Sequence, residues 1–266
     1  MLRNIFLIVI LLGSQLLNAQ CKIDNNSFRS GEELTYDLYF KMGILNPKAG
    51  FSILRVDDAD YDGQKVQKAQ LIAQSTGTAS KLFSVNDTIT SYFTKKLVPL
   101  AFYKDAHEGG DYTKEKITYK YKNGKTNIYT RRDKNEVFRY AETVTSSNCV
   151  YDMLSVVFYA RTLDYSTMKK GDTRVVEFMS GKRKLQMIVE HAGTERMKAN
   201  DKKRYNCIKL ILSISDDAFK DKEEAMKVYI TNDANRMPVR IDSKLKVGST
   251  QAVLKSYKGN LHPIEN

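Results

Sequence analysis

Carboxylates at alternate positions followed by a glycine can bind a hard cation, and Asp58-Ala59-Asp60-Tyr61-Asp62-Gly63 is the most site-like run of this kind in the chain. Asp58, Asp60 and Asp62 would converge on calcium while Gly63 makes the sharp turn. The second half of such a loop is missing. Its twelfth position is Ala69 where a bidentate glutamate is needed, and the flanks alternate like strands. A solvated hairpin tip fits better, so no metal ligand is assigned. The three histidines, His107, His191 and His262, have no second histidine or cysteine at metal-ligand spacing. His107 stands with Asp105, Glu108 and Asp111 in a polar, glycine-bearing stretch, read as a surface loop rather than an acid–base pair. No Gly-x-Ser-x-Gly elbow and no glycine-rich phosphate loop occurs. Catalytic, cofactor-binding and metal residues are thus all assigned as none, and the chain is not expected to be an enzyme. Carboxylate pairs leave no local trace, which keeps one hydrolytic reading open.

Cysteine chemistry depends on the compartment. Met1 to Cys21 begins with Arg3, continues through the apolar run Ile5–Leu12, too short to span a bilayer, and reaches the small residue Ala19. This reads as a secretory leader cut after Ala19, which leaves 247 of 266 residues, starting at Gln20. An exported chain can form disulfides, but Cys21, Cys149 and Cys207 are an odd number and their pairing stays open. Cys21 also permits a lipid anchor, although Gln20 stands where lipoprotein processing wants a small residue. The expected location is the periplasm, with an outer-membrane lipoprotein as the alternative. The net charge of +12 becomes +11 without Arg3. Export turns that charge away from nucleic acid and toward lipid phosphates, acidic glycans or acidic proteins. No second apolar run approaches membrane-spanning length.

The elements that must position these residues are strands. Leu34, Tyr36, Leu38 and Phe40 share one face of an alternating run. Ile117 to Thr130 turns on Asn123-Gly124, which sets Tyr121 opposite Thr126, Tyr119 opposite Ile128 and Ile117 opposite Thr130. Further strands are expected at Phe51–Val56, Val66–Ser75, Asp87–Thr94, Val137–Tyr140, Arg174–Met179, Leu185–His191 and Ile208–Ser213. Val228–Thr231, Val239–Leu245 and Ala252–Tyr257 complete the set. Asp152 to Leu163 breaks the pattern as a helix apolar on most faces, capped by Asp152 and destined for burial. Glu223–Lys227 is a weaker helical turn. The basic runs Lys182-Arg183-Lys184 and Lys202-Lys203-Arg204 sit at hairpin turns and would suit an anionic membrane if they shared one end of the sheet. Asp87-Thr88-Ile89 resembles a short O-glycosylation acceptor of exported proteins. The expected architecture is a single, mainly β domain over residues 20–266, an antiparallel curved sheet or partly closed barrel around one buried helix.

Several segments resemble one family. Phe28-Arg29-Ser30-Gly31-Glu32-Glu33-Leu34-Thr35-Tyr36 with Ala49-Gly50-Phe51 looks like the opening of the exported domain-of-unknown-function 3108 family. Asp152-Met153-Leu154-Ser155 through Ala160-Arg161 resembles its internal helix, and Met237–Ile241 with Lys246–Ser249 its closing strands. The resemblance implies a barrel-like exported domain of YmcC-like fold and brings no catalytic residues. The closing strands are also similar to those of lipoprotein carriers of the LolA and LolB kind, in which a curved sheet covers an apolar cavity. The expected function is a non-catalytic envelope protein holding a hydrophobic or amphipathic ligand or an envelope partner, whether lipid, glycan or protein. Alternatives are an assembly factor in surface-polysaccharide or outer-membrane biogenesis and, more remotely, an envelope glycan hydrolase. The space beneath the Asp152–Leu163 helix discriminates: a hollow apolar interior means a carrier, a filled one a scaffold.

Overall fold

The computed structural model describes residues 21–41, 44–215, 224–245 and 248–264. The leader and the proposed cleavage site lie outside them. Strands β1 (Glu32–Lys41), β2 (Lys48–Tyr61) and β3 (Gln64–Ser75) are followed by the short helix α1 (Gly77–Leu82). Next come β4 (Val85–Phe93), β5 (Pro99–Glu108), β6 (Asp111–Lys122), β7 (Lys125–Lys134), β8 (Val137–Ser146) and the two-residue β9 (Val150–Tyr151). Helix α2 (Ser155–Arg161) and a 3-10 turn (Tyr165–Thr167) lead to β10 (Thr173–Ser180), β11 (Arg183–Lys198) and β12 (Arg204–Ile214). Strands β13 (Met226–Thr231), β14 (Pro238–Lys244) and β15 (Ser249–Lys258) close the order.

All fifteen strands lie in one sheet, from β8 back to β1, then β15 back to β9. Every pairing is antiparallel except β9 with β10. The two edge strands, β8 and β9, are consecutive in the chain and separated by only three residues. Four peptide steps reach at most about 14 Å. The sheet must therefore roll until its edges nearly meet, which makes it barrel-shaped. The expected hairpin holds to the residue: Tyr121 faces Thr126, Tyr119 faces Ile128 and Ile117 faces Thr130. Asn123 and Gly124 both take positive φ, as this tight turn requires.

The turn between β10 and β11 fills the seam. Thr130 on β7 donates to the Gly181 carbonyl at 3.2 Å, and Lys182 reaches Glu142 on β8 at 3.0 Å. Gly181 has φ +61°, the left-handed region that favours glycine, with the Tyr140 hydroxyl close over it. The Cys21–Cys149 disulfide ties the N-terminal segment to the β8–β9 crossing.

Helix α2 is shorter than the expected Asp152–Leu163. Asp152 to Leu154 form its cap instead of its first turn: Asp152 Oδ1 accepts from the amides of Leu154 (2.9 Å) and Ser155 (2.8 Å). The Ser155 hydroxyl accepts in return from the Asp152 amide at 3.0 Å, a reciprocal arrangement that satisfies orphan amides at both positions. The expected turn at Glu223–Lys227 is corrected as well. Glu223 lies outside the described residues, and Met226–Thr231 pairs as β13 because Val228 and Ile230 are held between β12 and β14. Inside the roll, Phe158 packs with Phe28 and Phe93 at ring separations of 4.7 and 5.6 Å, and Val156 faces a second cluster around Val189 and Leu210. Val157 touches both clusters. The space under the helix is occupied by side chains.

Candidate functional site

The chain buries one complete ion pair at the end of α2. Arg161 Nη1 lies 2.5 Å from Glu32 Oε1 and Nη2 lies 2.9 Å from Oε2, both residues being almost fully enclosed. Its Nε and Nη2 also donate to the Asn235 carbonyl, and Nη2 to the Ser27 carbonyl. Phe28 and Phe158 cover the guanidinium plane at 5.2 and 5.9 Å. Arg161 is the last residue of α2, and its charge is used in this pair. Asn235 carries the network outward, donating to the carbonyls of His262 and Pro263 while accepting the His262 amide at 2.9 Å. The N-terminal stretch of Ser27 and Glu32, the end of α2 and the turn carrying Asn235 therefore meet on one cation. Its donors are spent on protein groups, so the cluster is a structural latch.

A second polar group lies on the concave face, where strand alternation would put apolar side chains. Cross-strand register aligns Lys104 on β5, Glu115 on β6, Arg132 on β7 and Tyr140 on β8 in one row. Arg132 is ion-paired to the buried Glu115 and lies 5.5 Å over the Tyr140 ring. Beside the row, Asp87 meets Glu108, which also takes Lys104 Nζ at 3.2 Å. Burial, then the Glu108 charge, pushes the Asp87 carboxyl up to about 6. Asp87 Oδ1 is buried without a hydrogen-bond partner. Glycoside hydrolysis needs the two groups about 5–9.5 Å apart with sugar or water between. Asp87 and Glu108 are instead diagonal neighbours on adjacent strands, close enough for the Glu108 charge to raise the Asp87 carboxyl. Neither Asp87–Glu108 nor Glu32–Arg161 has a motif in the sequence; the only available signal was charge on the inward phase of β4 to β7.

The singled-out residues are scattered. Asp62-Gly63 makes the β2–β3 turn, Asp60 pairs with Lys65 at 2.7 Å and Asp58 accepts from Ser30 at 2.7 Å. Among the described residues no three His, Cys, Asp or Glu side chains are grouped to hold a metal ion. His107 is not in a loop: it lies on β5, stacked on Tyr112 at 4.1 Å with Asp105 at 3.9 Å, because β5 fills the gap between β4 and β6. His191 is buried on β11, and His262 Nε2 is 2.8 Å from the Asn26 carbonyl. Cys21 and Cys149 pair, leaving Cys207 buried with its thiol pushed up to about 12 by desolvation. That thiol is inert at neutral pH. The two basic runs fall at opposite ends of β11, since its 16 residues separate the turns that carry them. They do not form one patch. Thr88 is half-buried in the middle of the sheet, between β3 and β5.

The surface of the described residues carries depressions, of which two stand out. One, of about 390 Å³, runs beside the disulfide and is lined by Tyr151, Tyr159 and Glu177, among others. The other, of about 510 Å³, lies over β1, β14 and β15 and is lined largely by charged residues.

This architecture, one rolled antiparallel sheet around a short helix, is that of a barrel-like domain. The model of a protein family of unknown function, DUF3108, matches residues 35–255, and the chain belongs to that family. Among solved structures, it is similar to a beta-barrel-like protein of domain of unknown function DUF1849 from Brucella abortus. The identity is 9%, the match covers 90% of this chain and 100% of that one, and the TM-score is 0.60, a likeness of fold alone. No curated protein matches the chain.

Proposed function

We propose that the protein is a non-catalytic, exported barrel that works by contact at its surface, as a structural or assembly factor of the cell envelope. The filled interior carries this reading. Phe28, Phe93 and Phe158 occupy the space beneath α2, and the Arg161–Glu32 latch closes it, which favours a scaffold over a carrier of a hydrophobic ligand. The Cys21–Cys149 bridge supports an oxidising compartment. It also uses the sulfur that a lipid anchor at Cys21 would need, which supports a free N-terminus at Gln20. The placement of Asp87 and Glu108 as neighbours on adjacent strands, rather than across a cleft, argues against glycan hydrolysis.

The test is composition. Protein purified from the envelope of its own host is expected to elute with a defined protein partner at fixed stoichiometry, and to release no stoichiometric lipid on organic extraction. One equivalent of lipid by mass spectrometry would restore the carrier reading. Edman sequencing should begin at Gln20, and only Cys207 should alkylate after denaturation without reductant.

A further inference from the structure

We infer that one end of the barrel docks on an anionic lipid bilayer, with two apolar tips entering the interface beside a basic depression. The first tip is the β1–β2 connection, where Ile44 is 99% and Leu45 63% exposed. It is flanked in sequence by Lys41 and by Lys48, the latter ion-paired to Asp37. The second is α1, which has no buried residue at all and ends in Lys81 and Leu82, followed by Phe83, with Leu82 84% and Phe83 57% exposed. A six-residue helix has little intrinsic stability and normally survives by burying a face. This one has no such face in the barrel.

The tips are neighbours. The Thr76 amide, preceding α1, donates to the Ala49 carbonyl at 2.9 Å, next to the start of β2. On the other side of β1, Lys41 faces Ser249 and so borders the β14–β15 connection. The 510 Å³ depression opens there. Its lining includes Asn46 from the first tip, the cations Lys41, Lys227, Arg240 and Lys244, and the carboxylates Glu224 and Asp242. Glu224 pairs with Lys227 and Lys244, and Asp242 with Arg240, so the lining keeps a net charge of two positives, with Lys41 at its edge next to the apolar side chains. Apolar tips bounded by lysines suit the boundary of a membrane carrying phosphate headgroups, where lysine stems remain in the interface and their ammonium groups meet phosphate. Clustered exposed apolar residues mark a contact surface, and the positive charge beside them matches the phosphate headgroups of an anionic bilayer. This role presupposes the filled, surface-acting barrel proposed above. Lipid extraction reads the interior and vesicle flotation reads the rim, so the two can fail separately.

The experiment is flotation of the purified mature protein with vesicles of phosphatidylcholine alone or mixed equally with phosphatidylglycerol. Binding is expected only to the mixed vesicles, weakening as salt is raised. Leu45→Asp with Leu82→Asp should reduce it by at least about ten-fold. Lys41→Gln and Lys81→Gln should each reduce it roughly five-fold. Ile188→Ser, an exposed apolar change on the outer face of β11, should leave it intact. An unchanged melting temperature shows that the variants remain folded. No flotation at low salt, equal binding to neutral vesicles, unimpaired binding by the Leu45/Leu82 variant, or sedimentation showing that these residues instead join two copies would each overturn the inference.

Discussion

Arg161 holds more of the molecule together than any apolar side chain of its size could. Five of its contacts go to Ser27 and Glu32 in the N-terminal stretch and to Asn235. Removing one partner of a buried pair leaves the other charge unpaired, so Arg161→Ala should cost about 3–5 kcal/mol in urea unfolding. Arg161→Met combined with Glu32→Leu should recover most of that loss, because neither charge then remains; a double variant as weak as the single would refute this account. Asp87 makes the opposite kind of prediction. Folded, it keeps its proton up to about pH 6, against an ordinary value of 3.8. The folded state therefore binds more protons than the unfolded state across roughly pH 4 to 6, and stability falls as pH rises through that window. Glu108 and Lys104 are the charges facing Asp87, and both act at once. Asp87→Asn should flatten this part of the stability curve relative to the parent, while leaving other carboxyls to titrate as before.

Elements were legible where local chemistry determined them. Alternation and the Asn123-Gly124 turn located β6 and β7 with their register, because a two-residue hairpin leaves little choice. Asp152 announced a cap, but not that the helix would begin only at Ser155. Strand β5, Pro99–Glu108, was missed. Its polar residues point to both faces, inward Lys104 and Glu108 and outward Asp105 and His107, so its alternation disappears. The paired cysteines were equally illegible, since three thiols allow three pairings and 128 residues separate the two that join. That bridge closes a long loop across the seam. Cys149→Ser should lower stability by about 2–5 kcal/mol, with reductant having the same effect on the parent protein and none on the variant.

At the scale of the whole molecule, α2 joins the two apolar clusters through Leu154 and Phe158 on one side and Val156 on the other, with Val157 touching both. The clusters should therefore unfold together. Near-ultraviolet circular dichroism and tyrosine fluorescence are expected to give coincident thermal transitions, and two separated midpoints would show independent halves. By itself, the sequence determined the strand-rich class, the central hairpin, the helix cap and the family, because these follow from short-range periodicity, turn geometry and local motifs. Tertiary structure decided what the charges and cysteines do. Glu32 meets Arg161, Asp87 meets Glu108, and Cys21 meets Cys149 only after the sheet has rolled and brought distant strands side by side. Rolling also parted the two basic runs to opposite ends of β11 and gathered Leu45 and Leu82 at one rim. Such pairings are set by register and closure, which depend on every strand at once and leave no mark at any single position.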